Sequence, residues 1–107
     1  KISVIANVNS ASATECLIGA MLHYEDGFNK DRLVIEEHPT EGARTYGKGI
    51  MQTTYWMIKG GAIKLTTGKM FWPDRQTSIH QVGITTTEKN SVPSSKALAR
   101  AIECINE

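Results

Sequence analysis

Apolar positions in this chain fall into short runs broken by polar, Gly- and Pro-containing stretches, and their spacing sorts the runs into strands and helices. Ile2 to Val8 is nearly continuous in apolar residues and reads as a buried strand, with Asn7 and Asn9 marking its end. From Ala13 to Tyr24 the positions Leu17, Ala20, Met21 and Tyr24 recur at helical spacing, and Gly19 allows close packing. Glu25 to Asp31 is a polar connector, Leu33 to Ile35 a short strand, and "EEHPTEGAR" an exposed loop. Met51 to Ile58 and Ala62 to Thr67 are β-rich runs joined through "KGG", which predicts a hairpin. Met70 to Trp72 continues extended until "PDRQT" turns the chain, and Ile79 to Ile84 is a further extended piece. Ser94 or Ser95 then caps a last helix with Leu98, Ala101, Ile102 and Ile105 on its apolar face. The pattern predicts a mixed α/β or α+β chain without repeats.

Size and charge narrow the reading. A chain of 107 residues holds one domain at most. The net charge of +1 gives no electrostatic reason for a nucleic-acid or anionic-membrane partner. No apolar run is long enough to span a bilayer. Lys1 leads straight into an apolar run, so the chain is expected to be a piece of something larger. Cys16 and Cys104 both sit on apolar helix faces, where a free cysteine acts as a small hydrophobe, and a disulfide is not expected.

Candidate chemistry begins at "VNSASATECLIGAML", where Ser10, Ser12 and Thr14 precede the first helix. Ser12-Ala13-Thr14-Glu15 fits a capping box, a purely structural role for Ser12. The same position suits a nucleophile. A helix N-terminus offers free N–H groups, and that of Ala13 would stabilise an oxyanion formed by attack from Ser12. A serine hydroxyl needs a base to take its proton. His23, His38 and His80 have no carboxylate at an informative spacing and form neither a triad nor a metal-ligand pattern. Lys48, between two glycines in "TYGKGIMQ" and bordered by Tyr46, Ile50 and Met51, is the lysine whose surroundings would favour its neutral form. Lys59, Lys64 and Lys69 read as solvated.

Four blocks in order, "NVNSASATE", "RTYGKGIMQ", "GGAIKLTTGKMFWP" and "SIHQVGI", resemble the C-terminal-processing, or tail-specific, serine peptidases. The resemblance runs from the first strand to about Ile84. It implies a Ser–Lys dyad with Ser12 as nucleophile, Lys48 as general base and Gln52 as the polar residue orienting the amine. It also implies a ClpP/crotonase-like α/β core, a protein or peptide substrate with a disordered C-terminus, and no metal or organic cofactor. Similar enzymes work mostly in the periplasm or at the cell envelope. On this resemblance, residues 1–107 form the C-terminal part of a catalytic core. The upstream core segment with the second oxyanion donor, and a PDZ domain, are missing from it.

The chain departs from the family pattern at Asn9, where glycine usually precedes "SAS", and at His23, where an acidic residue is common. The connector between the Ser12 and Lys48 blocks is long, and the usual Pro-Asp is missing at Thr85 to Thr87. Alone, the chain is expected to be inactive, and its uncovered apolar surfaces would favour a homodimer. The alternative reading is a non-catalytic peptide- or ligand-binding module on the same fold.

Overall fold

A computed structural model describes residues 1–24, 28–72 and 77–107; residues 25–27 of the expected connector and 73–76, where a turn is expected, lie outside the described residues. The chain is a mixed α/β structure. Its elements run β1 (Val4–Ala6), α1 (Ala13–Tyr24), β2 (Leu33–Glu36), β3 (Ile50–Trp56), β4 (Ala62–Lys69), β5 (Ser91–Val92) and α2 (Ser94–Asn106). Short 3₁₀ turns occupy Lys30–Arg32 and Glu88–Asn90.

The apolar triplet of β2 explains the layering. It is the middle strand of a parallel sheet ordered β1-β2-β5, and parallel sheets are covered on both faces. Successive side chains of a strand point to opposite faces. Leu33 and Ile35 therefore enter one core with Ala6, Ile18 of α1, Phe28, Ile79 and Ile84. Val34 enters another with Ala97, Ala101 and Cys104 of α2. Asn90, buried at the far end of this second core, donates to Lys30 O (2.9 Å) and accepts from Arg100 Nε (2.8 Å), which fixes α2 across the sheet.

α1 has the predicted bounds but turns a different face inward: Leu17, Ala20 and Tyr24 are exposed, while Ile18 enters the core and Gly19 lies buried against the ring of Trp72. β1 is shorter than expected and lies at a sheet edge, so Ile2 and Ile5 are exposed. Ile79 to Ile84 is a turn instead of an extended piece: Val82 and Gly83 both donate N–H to Ile79 O, and Gln81 and Gly83 have positive φ. Helix α2 follows Pro93, which stands at its N-cap without a side-chain hydrogen bond, so neither Ser94 nor Ser95 is the cap. The buried face of α2 is also different. Ala97, Ala101 and Cys104 pack on β2, while Leu98, Ile102 and Ile105 face outward. Small residues win that face because the helix lies close on the sheet. Both cysteines are free, Cys16 exposed and Cys104 buried. Among the described residues, no helix is long and apolar enough to cross a membrane.

β3 and β4 form the predicted hairpin, with Tyr55 opposite Ile63, Thr53 opposite Leu65 and an irregularity between Met51 and Gln52. Nearly all of it is exposed, and the molecule measures 58 × 30 × 20 Å.

These assignments separate two substitutions. Ile35→Ala, in the core, is expected to lower stability by about 2–5 kcal/mol, whereas Ile102→Lys changes it by less than about 0.5 kcal/mol. Urea denaturation of the two variants checks both values.

Candidate active site

The chain between β1 and α1 is built as a tight turn. Ser10 N–H donates to Asn7 O (2.9 Å), and Ser10 Oγ accepts from Asn7 N–H (3.1 Å). The Ser10 hydroxyl is thereby committed to the turn. Ser12 follows at φ 54°, a left-handed conformation that costs a non-glycine residue about 1–2 kcal/mol. Helix-capping residues normally have extended backbone, so this is not an ordinary cap. Half of the capping box is present: Ser12 N–H donates to Glu15 Oε2 at 2.9 Å. Among the described residues, Ser12 Oγ has no hydrogen-bond partner.

Glu15 does more than cap. Its carboxylate is fully buried and accepts four hydrogen bonds. Oε1 takes the Thr45 hydroxyl (2.6 Å) and Gly47 N–H (2.6 Å), while Oε2 takes Ser12 N–H and Lys48 N–H (3.0 Å). Because Ser12 and Lys48 donate to the same oxygen, their main-chain nitrogens are separated by no more than the sum of those two short distances. The first turn of a helix and ordered N–H donors are where a carboxylate is electrostatically stabilised, which offsets its removal from water. Thr45 extends the link, since its hydroxyl also accepts Ile84 N–H at 2.7 Å.

The loop carrying Lys48 is clamped from the other side by the turn at 79–84. Gln81 N–H donates to Gly47 O (2.7 Å), Gly49 N–H to His80 Nδ1 (3.3 Å), and Met70 N–H to Gly49 O (2.7 Å). Gly47 has φ 87°, and a Cβ on Gly49 would lie 2.7 Å from His80 N, so this close approach requires glycine at both positions.

Lys48 is half-buried, and its Nζ has no hydrogen-bond or ion-pair partner among the described residues. It lines an open cleft of about 880 Å³ with Asn9, Ala11, His38, Glu41, Arg44, Tyr46, His80 and others. Arg44 holds the Glu41 carboxyl below its ordinary range, first through a 2.7 Å hydrogen bond and then through charge. The structure thus brings the main chains of Ser12 and Lys48 together but does not place Ser12 in the cleft lining. Ala13 opens α1. Gln52 is exposed on β3 opposite Thr66 and does not line the cleft either. Tyr46 and Met51, expected to shield the amine, are each more than half exposed. Glu15 was legible only as a capping residue. Its contacts with Thr45, Gly47 and Lys48 leave no local pattern, and neither does the contact of His80. Among the described residues, no cluster of His, Cys, Asp or Glu could hold a metal ion.

The profile of Peptidase family S41 matches residues 1–89. The chain belongs to this family. It is 36% identical over 97 residues to a probable CtpA-like serine protease of Staphylococcus saprophyticus, covering 91% of this chain and 17% of that protein. A protein of the same description from Staphylococcus epidermidis is 36% identical over 98 residues, covering 92% of this chain and 18% of its own. One from Staphylococcus haemolyticus is 32% identical over 99 residues, with the same coverage of 92% and 18%. This S41 chain therefore spans less than a fifth of the length of the curated relatives it matches. No solved structure matches it significantly.

Glu15→Gln keeps the side-chain shape but turns an NH₂ group toward two of the four donors. It is expected to lower stability by about 2–4 kcal/mol, and Glu15→Ala by more, since buried donors left unsatisfied cost about 1–3 kcal/mol each. Denaturation midpoints measured in urea check the order wild type, Gln, Ala.

Proposed function

We propose that this chain carries the nucleophile and base of a serine endopeptidase of the tail-specific type, on a fragment of a ClpP/crotonase-like core. Ser12 is the nucleophile, Lys48 the general base, Ala13 N–H an oxyanion donor, and Gln52 a polar support for the amine. The observation that carries the reading is the shared Glu15 oxygen, which holds the Ser12 and Lys48 main chains together from distant parts of the sequence. The left-handed Ser12 at the start of α1 adds to it, because a strained serine at a strand-to-helix turn is a way of presenting a nucleophile.

In this reading neutral Lys48 Nζ takes the Ser12 Oγ proton as the oxygen attacks a peptide carbonyl carbon. The negative charge that develops on the carbonyl oxygen faces the N-terminus of α1. The C–N bond then breaks, and protonated Lys48 gives its proton to the leaving amine. Water deprotonated by Lys48 hydrolyses the resulting ester, releasing Ser12. A substrate strand lying in the cleft would exclude water from the amine and favour its neutral form. The substrate is a disordered protein terminus, captured largely through main-chain hydrogen bonds. The second oxyanion donor and a substrate-capturing PDZ domain come from the longer polypeptide, which works in the periplasm or at the cell envelope.

In the full-length polypeptide, Ser12→Ala and Lys48→Ala are each expected to lower kcat/KM on a disordered substrate by at least about 10³-fold. Full activity in Ser12→Ala would leave the chain as a binding module. The 107-residue chain alone is expected to show little or no turnover, at least about 10²-fold below the full-length protein, since a missing oxyanion donor by itself costs that much. Release of a fluorogenic peptide product measures all of these rates.

A further inference from the structure

Both glycines beside Lys48 have their main-chain N–H and C=O groups committed, and most of the partners keep the same hydrogen-bonding character across neutral pH. Gly47 O and Gly49 O accept from main-chain N–H groups, and Gly47 N–H meets the Glu15 carboxylate. Gly49 N–H is the exception, because its acceptor is the imidazole of His80. We propose that His80 is a positioning residue for Lys48: its neutral ring holds the Gly49 N–H, and protonation of the ring releases that hold. The inference rests on the Ser12–Lys48 reading of the site for its catalytic consequence, but not for the hydrogen bond itself.

Imidazole can accept at Nδ1 only when that nitrogen carries no proton. The imidazolium ion is a donor at both nitrogens. A protonated His80 would therefore point an N–H at the Gly49 N–H. The two groups have little room to separate, because Gly49 packs directly on the main chain of His80. The main chain of His80 is fixed, with its N–H donating to Ser78 Oγ (3.2 Å) and the following residues folded back on Ile79 O. What protonation removes is the acceptor that the ring offers to Gly49 N–H, next to Lys48 in its loop. The other titratable or charged groups of the shared cleft are Lys48, Tyr46, Arg44, Glu41 and His38. Glu41 is held ionised by Arg44 and does not change over the range where imidazole does. His38 Nδ1 accepts from Thr40 N–H (3.3 Å) and Glu41 N–H (3.2 Å) within its own loop, so its ring is engaged there and not with Gly49.

Asparagine places Oδ1 where histidine has Nδ1, and this oxygen accepts at every pH. In the full-length peptidase, log kcat/KM of the wild type is expected to fall on the acid side with a stretch steeper than a slope of one, because protonation of His80 adds a loss of about 10-fold or more to the loss of neutral Lys48. His80→Asn should retain activity at pH 8 and fall with a slope of about one. His80→Ala should be about 10-fold or more less active at all pH values, and His38→Asn should keep the wild-type slope. A His80→Asn profile identical to the wild type overturns the proposal. Amide NMR of the 107-residue chain provides a second reading independent of catalysis. The Gly49 N–H resonance should shift with the His80 ring protons in the wild type and stay constant in His80→Asn; a Gly49 resonance indifferent to the ring overturns the proposal. A full-length protein without Ser12-dependent cleavage would sink the peptidase reading while leaving the Gly49 titration to decide the hydrogen bond.

Discussion

The site is organised by a single buried carboxylate. Glu15 collects donors from the turn before α1 and from Thr45, Gly47 and Lys48, segments some thirty residues away in the chain. A charge so fully removed from water is tolerated only when its lone pairs are filled, and here all the donors are main-chain N–H groups apart from one hydroxyl. The two parts of the chain that carry the proposed nucleophile and base cannot drift apart without exposing that charge to an apolar surrounding. Their relative placement is thus set by a residue with no part in bond making, together with a main-chain hydrogen bond from Tyr46 N–H to Ser10 O (2.9 Å). Charge-assisted hydrogen bonds of this kind are directional, which gives the arrangement precision as well as stability.

The fold supplies the rest of the frame. β2 is covered on both faces, so it is the rigid reference for everything around it. Ile18 of α1 and Ile79 and Ile84 at the two ends of the 79–84 turn share the core into which Leu33 and Ile35 project. The helix that begins at the Ser12 block and the turn that clamps the Lys48 loop are therefore seated on the same strand. Thr45 closes the circuit, touching the Glu15 carboxylate through its hydroxyl and pairing with Ile84 through both its main-chain and side-chain groups. The hairpin stands apart. Its apolar face, with Tyr55, Ile63 and Leu65, is exposed and contributes little to holding the site.

What could be read from the sequence followed the range of the interaction involved. The bounds of α1 and the pairing of β3 with β4 come from local periodicity and turn chemistry, and both are present. In α2 the apolar pattern points to the wrong face, because Leu98, Ile102 and Ile105 make the more hydrophobic stripe, yet closeness to the sheet favours Ala97, Ala101 and Cys104. Ile79 to Ile84 has strand-like composition, but the positive φ of Gln81 and Gly83 turns it. Ser12 and Lys48 were singled out through small-residue surroundings and a family resemblance. Glu15 and His80 could not be, because what matters at each is a tertiary hydrogen bond to main-chain N–H, and that leaves no spacing to detect.

The long connector between the Ser12 and Lys48 blocks has a definite place in this geometry. His38 pairs with Gly42 to close a small loop, and Glu41 and Arg44 are joined across it. Arg44 also reaches the Val82 carbonyl at 3.3 Å, so the loop is tied to the turn that holds Gly49. His38, Glu41 and Arg44 then form one side of the cleft that Lys48 lines. The Glu15 contacts do not involve these residues, because they depend on Thr45, Gly47 and Lys48 beyond the connector's end. A change in connector length can thus reshape the approach to the lysine without moving it relative to the serine. In the proposed reading, access and chemistry thus lie on separate segments, and the access segment is held by the His38–Gly42 pairing and by Arg44, which meets both Glu41 and the Val82 carbonyl.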